Sequence, residues 1–174
     1  MAESGSDFGL VDGIGAEAIG QPGRRTFRIL ARSGHQSASL WIEKEQLAAL
    51  GTAFQQAIVR LGRPAGRERS APLLSGADLP GRPAIDFRCG QLGWGFDEQR
   101  QEFLIVAYPM EAPEDEAAAW HGRLTVAQAR SLSREIERLV NAGRPKCPLC
   151  GMVLEGMEHV CPRANGHAKD IAQA

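Results

Sequence analysis

"KEQLAALGTAFQQAIVRL", residues 44–61, and "TVAQARSLSREIERLVNA", residues 125–142, decide the fold, because they read as one helix written twice. In the first, Leu47, Leu50, Phe54, Ile58 and Leu61 recur at intervals of three and four, and in the second Val126, Ala129, Leu132, Ile136 and Leu139 do the same. That spacing gathers the apolar side chains into one stripe of a helix, and a single stripe needs a sheet to cover. Gln46, Leu50 and Phe54 align with Gln128, Leu132 and Ile136 at an offset of 82 residues. Thr125 followed by Gln128 makes a capping box at the second helix start. Gly62 and Gly143 stand just past the last apolar residues, where a left-handed glycine ends a helix.

Working upstream from each helix, the same elements recur. FRILA at 27–31 matches FLIVA at 103–107 at an offset of 76 residues. The offset grows within YPMEAPEDEAAAWHG, residues 108–122, an acidic and alanine-rich loop in which added length is tolerated because closure entropy rises slowly. In the first half, Ile14, Ala16 and Ala18 alternate, then Phe27, Ile29 and Ala31 after the turn Gln21-Pro22-Gly23, then Ala38, Leu40 and Ile42 after Ser33-Gly34. Period two predicts strands. In the second half, Phe87 to Phe96, Glu102 to Tyr108 and Trp120 to Leu124 take the same parts. The expected fold class is α+β: duplicated βββα units related by a pseudo-twofold axis, forming antiparallel sheet with two helices on one side. A zinc knuckle follows at the C-terminus. The expected divisions are 8–62 for the first unit, 63–84 for a Gly/Pro/Arg-rich linker, 85–143 for the second unit, 144–166 for the knuckle and 167–174 for a frayed tail.

The 174 residues suffice for one body with a real core and no disulfides. A net charge of −1 gives the chain as a whole no strong pull on nucleic acid or an acidic membrane, so only a local basic patch would serve such a partner. The start, MAESGSDFGL, has neither the basic end nor the apolar stretch of a secretory signal, and no run reaches the length of a membrane span. A cytoplasmic location is therefore expected, and in that reducing compartment a cysteine cluster points to metal rather than to disulfides.

The chemistry concentrates in CPLCGMVLEGMEHVC, residues 147–161. Cys147-Pro148-Leu149-Cys150-Gly151 has the form of a zinc-ribbon knuckle, in which the glycine permits a tight turn and backbone amides point at thiolate sulfurs. Gly156 lies in the intervening loop. His159 and Cys161, two apart, share one side of an extended segment and close a tetrahedron with Cys147 and Cys150. His167 is the alternative fourth ligand. Four nitrogen and sulfur ligands saturate zinc and leave no position for water, so the site is structural rather than hydrolytic. Cys147-Pro-Leu-Cys150 also resembles a redox dithiol, but such a pair opens a helix after a strand, whereas this one follows a helix.

Other candidates are weaker. Cys89 lies inside a predicted strand and reads as a core thiol. Gly13-Ile14-Gly15-Ala16-Glu17-Ala18 fits a dinucleotide fingerprint only superficially, since a strand and not a helix follows. His35 and His121 sit beside turns without an evident carboxylate partner and read as surface residues. Asp97, Glu98, Glu114, Asp115 and Glu116 read as solvated loops. Trp41, Trp94 and Trp120 are expected in the core or at its edge, where one exposed indole would make a binding anchor. Arg24, Arg25, Arg63, Arg67, Arg69, Arg82, Lys146 and Arg163 could assemble a basic surface for phosphate or nucleic acid, although dispersed arginine is the commoner meaning.

The turn GQPGRRTFRILAR, the paired halves and the ending GRPKCPLCG…HVCPRANG resemble the bacterial repeat proteins catalogued as domain-of-unknown-function 3090, from about Ile14 to Gly166. The resemblance implies the repeat and the knuckle, and carries over Cys147, Cys150, His159 and Cys161 as zinc ligands. It implies no activity, only genomic company with phosphatase-like and kinase-like proteins. The leading functional reading is a non-catalytic zinc-binding adaptor whose knuckle and adjoining groove dock a protein partner. Behind it stands an enzyme or enzyme subunit that binds a phosphate-bearing or nucleotide ligand at the arginine-lined side, where Arg24 or Arg25 would meet a carboxylate or His35. A third reading is nucleic-acid binding through the knuckle and linker arginines on one continuous face.

Overall fold

The computed structural model describes residues 6–62, 71–79, 81–113, 117–142, 147–152, 154, 161 and 163. Along the chain lie β1 (Ser6–Leu10), β2 (Gly13–Ile19), β3 (Thr26–Ser33), β4 (Gln36–Ile42), α1 (Lys44–Arg60), a short 3-10 turn (Gly76–Asp78), β5 (Ile85–Asp97), β6 (Glu102–Pro109), β7 (Trp120–Thr125) and α2 (Val126–Asn141). The predicted capping box is formed: the Gln128 N–H donates to Thr125 Oγ1 at 3.1 Å and the Thr125 N–H to Gln128 Oε1 at 2.9 Å. Gly62, at φ +67°, takes the left-handed position after α1. Gly143 and Gly156 lie outside the described residues. The expected turn between β2 and β3 has Gly23 at φ +90°, with the Arg24 N–H donating to the Gln21 carbonyl at 2.9 Å.

The seven strands form one mixed sheet in the order β1-β7-β6-β5-β4-β3-β2. Pairing is antiparallel inside each unit, as expected, but parallel where the units meet: β4 runs alongside β5, and β1 alongside β7. β1 and β2 occupy opposite edges of that order, yet only Val11 and Asp12 separate them. Consecutive Cα atoms are about 3.8 Å apart, so the two edges must come together and the sheet must curl almost into a ring. The Val11 N–H donates to the Arg123 carbonyl on β7 and the Asp12 N–H to the Arg32 carbonyl on β3, at 2.9 and 2.8 Å.

That closure explains the pseudo-twofold relation. β1 and β2 together are one bent strand, the equivalent of β5. Each starts parallel to the last strand of the other unit, bends, and continues antiparallel to the next strand of its own. The bend lies at Val11-Asp12 in one unit and at an irregularity between Cys89 and Gln91 in the other. Above each bend sits an equivalent glutamine: Gln46 Nε2 donates to the Gly90 carbonyl and Gln128 Nε2 to the Val11 carbonyl, both at 2.9 Å. A half-turn about an axis through the curled sheet exchanges the units. The helices meet near that axis, where Gln55 Nε2 donates to Glu137 Oε2 at 3.1 Å and a Cβ at Gly51 would lie 2.7 Å from Ile136 Cγ2.

The bend also changes which side of β5 faces inward. Before it, Ile85, Phe87 and Cys89 pack on the core; after it, Leu92 and Phe96 do. One extra residue in a strand of period two has that effect. Core and helices form a single cluster, with Phe54 at its middle: its ring lies 4.8 Å from Phe103 and 5.9 Å from Trp94. Trp120 is fully buried and β1 closes over it through Phe8, edge to face at 5.7 Å. Cys89 is the expected core thiol, its pKa pushed up to about 12 by burial.

Within the linker, residues 71–79 run across β2 as a strap. The Leu74 N–H donates to the Ile14 carbonyl at 2.9 Å, Leu74 is buried, and the Gly76 N–H donates to Glu17 Oε1 at 2.6 Å. Gly15 makes this approach possible, since a Cβ there would stand 1.8 Å from the Leu74 carbonyl oxygen. Residues 63–70 and the tail 167–174 lie outside the described residues.

Candidate metal centre

After α2 the chain reaches Cys147, whose N–H donates to the Met152 carbonyl while the Gly151 N–H returns to the Cys147 carbonyl, both at 2.8 Å. Gly151 sits at φ +72°, a left-handed conformation that a side chain would strain. The result is the tight knuckle that CPLCG predicts. It turns the backbone N–H groups of Cys150 and Leu149 onto the Cys147 sulfur, and these hold the thiol down at a pKa of about 6. Cys161 comes back from the other end of the motif, with its sulfur 3.6 Å from that of Cys147.

The sulfurs of Cys147, Cys150 and Cys161 all lie within 4.8 Å of one another. Tetrahedral coordination with metal–sulfur bonds of about 2.3 Å sets neighbouring sulfurs about 3.8 Å apart, so the three can share one centre. Electrostatics point the same way. Burial pushes the Cys161 thiol up, the Arg163 N–H pulls against it, and the adjacent sulfurs of Cys147 and Cys150 add to the rise. Three thiolates this close repel one another, and a divalent cation at their centre removes the conflict. All four cysteines of the chain are free thiols. The cluster is thus a three-cysteine site able to bind a metal ion. His159 and His167, the candidate fourth ligands, lie outside the described residues.

The knuckle also turns apolar side chains outward. Leu149 is 56% exposed and Met152 55%, and Arg163 Nη1 donates to the Leu149 carbonyl at 3.5 Å.

The remaining candidates separate clearly. His35 is exposed at the β3–β4 hairpin tip. His121 has a carboxylate partner after all, because β1 brings Asp7 Oδ2 to 3.4 Å from its Nε2. Asp7 is held below its ordinary range, chiefly by the Gly9 N–H. Asp97 caps its own turn, accepting from the Gln99 and Arg100 N–H groups at 2.9 and 3.0 Å. Glu114, Asp115 and Glu116 lie outside the described residues. Trp94 is the exposed indole, at 44%. Trp41 is half-buried, donates from Nε1 to Asp86 Oδ1 at 2.8 Å, and has the Arg28 guanidinium 5.3 Å above its ring.

Among the basic residues, Arg25 lines a cavity together with Glu43, and its Nη1 donates to the Ala142 carbonyl at 3.1 Å, bracing the end of α2 that leads into the knuckle. Arg24, Arg82 and Arg163 are exposed, while Arg63, Arg67, Arg69 and Lys146 lie outside the described residues. The groove between the helices is a cavity of about 230 Å³ that includes Gly51, Gln55, Ser133 and Glu137. No helix among the described residues is long and apolar enough to cross a membrane.

Three features escaped the sequence reading: β1 with its Asp7–His121 pair, the strap, and the Glu17–Arg28 pair beneath it. A signal for the first is present. SDFGL at 6–10 and IDFRC at 85–89 share Asp-Phe at equivalent positions, Asp7-Phe8 and Asp86-Phe87.

Among comparisons with known proteins, the family model described as "Protein of unknown function (DUF3090)" matches residues 6–161. No curated protein and no solved structure matches the chain.

Proposed function

This chain belongs to the DUF3090 family, described as of unknown function, and on that premise we propose that it is a non-catalytic, zinc-stapled adaptor that docks a protein partner through its knuckle. One observation carries the reading. The three sulfurs lie within 4.8 Å of one another while Leu149 and Met152, on the same short turn, are more than half exposed. A closed thiolate site supplies folding energy to a segment too short to build its own core, and so makes a rigid platform for two apolar side chains. Zinc is the metal this donor set suits best, being soft, redox-inert and content with a tetrahedron of sulfur and imidazole. His159 completes that tetrahedron, with His167 in reserve.

The test separates scaffold from contact. Leu149→Glu changes an exposed side chain and leaves every ligand in place, so zinc content should stay at one per chain while a partner copurified from the native host is lost. Retention of the same partner by Leu149→Glu and by Met152→Glu would refute docking at the knuckle, whatever the metal content.

A further inference from the structure

We propose a binding site for a phosphate-class oxyanion in the cavity between the β3 start, the β4 end and the α1 start, formed by Arg25, Lys44 and Arg88. The cavity has a volume of about 80 Å³ and is lined by these three cations, Thr26, Trp41 and Glu43 among others. That space is large enough for a few waters or for one tetrahedral oxyanion.

Charge decides between them. Three cationic residues line the cavity against one acidic residue, Glu43, and among the described residues neither the Lys44 ammonium nor the Arg88 guanidinium has a hydrogen-bonding or ion-pair partner. Asp86, the nearest acid along β5, is engaged by Trp41 Nε1 at 2.8 Å. Like charges gathered around a concave space repel, and an anion there relieves the repulsion while gaining charge-assisted hydrogen bonds. Arg25 is tethered by the bond from its Nη1 to the Ala142 carbonyl, which spends one of its five N–H donors and leaves four for a ligand.

The repeat supplies an independent argument. Lys44 opens α1 as Val126 opens α2, and Arg25 precedes β3 as Gln101 precedes β6. Arg88, three residues past the first β4–β5 pair, corresponds to Gly9, three past the first β1–β7 pair. The second unit thus forms the same strands and helix with Gln101, Val126 and Gly9 in these places. The scaffold does not require the cations, and their presence in one unit alone marks that end as specialised for a ligand. This inference stands whether or not the knuckle docks a partner.

Calorimetric titration of the full chain with inorganic phosphate, and separately with glycerol 3-phosphate, at low ionic strength tests it. Saturable one-to-one binding is expected, weakened at least about tenfold by Lys44→Gln and by Arg88→Gln, each of which loses a charged contact, and unchanged by Arg60→Gln at the far end of α1. Tighter binding of glycerol 3-phosphate assigns the site to a phosphomonoester; equal affinity assigns it to free phosphate. No saturable heat with either probe, equal heat from sodium chloride, or equal weakening by Arg60→Gln would overturn the proposal. Both cavity variants alter exposed side chains, so circular dichroism should confirm that they fold.

Discussion

Gly15→Ala should detach or displace the strap over β2. The new Cβ would lie 1.8 Å from the Leu74 carbonyl oxygen and 2.8 Å from its carbon, both backbone atoms that cannot rotate away. The strap must therefore move by more than an ångström. Three interactions are then at risk: burial of Leu74, the bond from its N–H to Ile14, and the bond from the Gly76 N–H to Glu17. Burial of a leucine is worth about 1.5–3 kcal/mol, a neutral hydrogen bond about 0.5–1.5, and one to a carboxylate about 1.5–3 before a discount for the partial exposure of Glu17. Complete release thus destabilises by roughly 3–6 kcal/mol, and a strained but attached strap by about 1–3 kcal/mol. Urea unfolding followed by tryptophan fluorescence reads the loss, and hydrogen exchange at the Leu74 and Gly76 amides locates it. Gly95→Ala is the control, because a Cβ there meets nothing within 4 Å. If Gly15→Ala is as harmless as Gly95→Ala, with both strap amides still protected, the close packing of strap on β2 is refuted.

Acid should loosen the same strap. Burial works against ionisation of Glu17, but the Gly76 N–H and Arg28 outweigh it, so the folded carboxyl has the lower pKa. Its contribution is complete above the ordinary glutamate range and fades as pH falls through the folded value; the Gly76 amide should lose protection there, and Glu17→Gln should flatten that pH dependence. Trp120→Ala removes a fully buried indole that also supports Phe8, and should cost about 3–5 kcal/mol by urea denaturation while opening residues 6–10 to proteolysis. Cys89, with its thiol pushed up to about 12, should resist alkylation at pH 8 in the folded chain and react once urea unfolds it.

Much of the architecture was legible because periodicity is a local signal. Phe27, Ile29 and Ala31 alternate and are buried in β3, and the stripe from Leu47 to Ile58 faces the core as its spacing requires. The parallel joins were not legible, since each pairs strands of different units that lie far apart in sequence, which no local pattern reveals. β1 was hidden for a related reason: in SDFGL only Phe8 is buried and Gly9 adopts φ +58°, so alternation is weak and the evidence lies in its repeat partner at 85–89. In the knuckle, Cys147, Cys150 and Gly151 were readable because the turn dictates their spacing. The convergence of Cys161 on them is a three-dimensional fact that spacing only suggested.

Zinc K-edge absorption on the chain purified without added metal tests the central claim most directly. One zinc per chain, with three sulfurs at about 2.3 Å and one nitrogen at about 2.0 Å, is the predicted shell. A metal-free chain, or a shell dominated by oxygen with room for water, would contradict it.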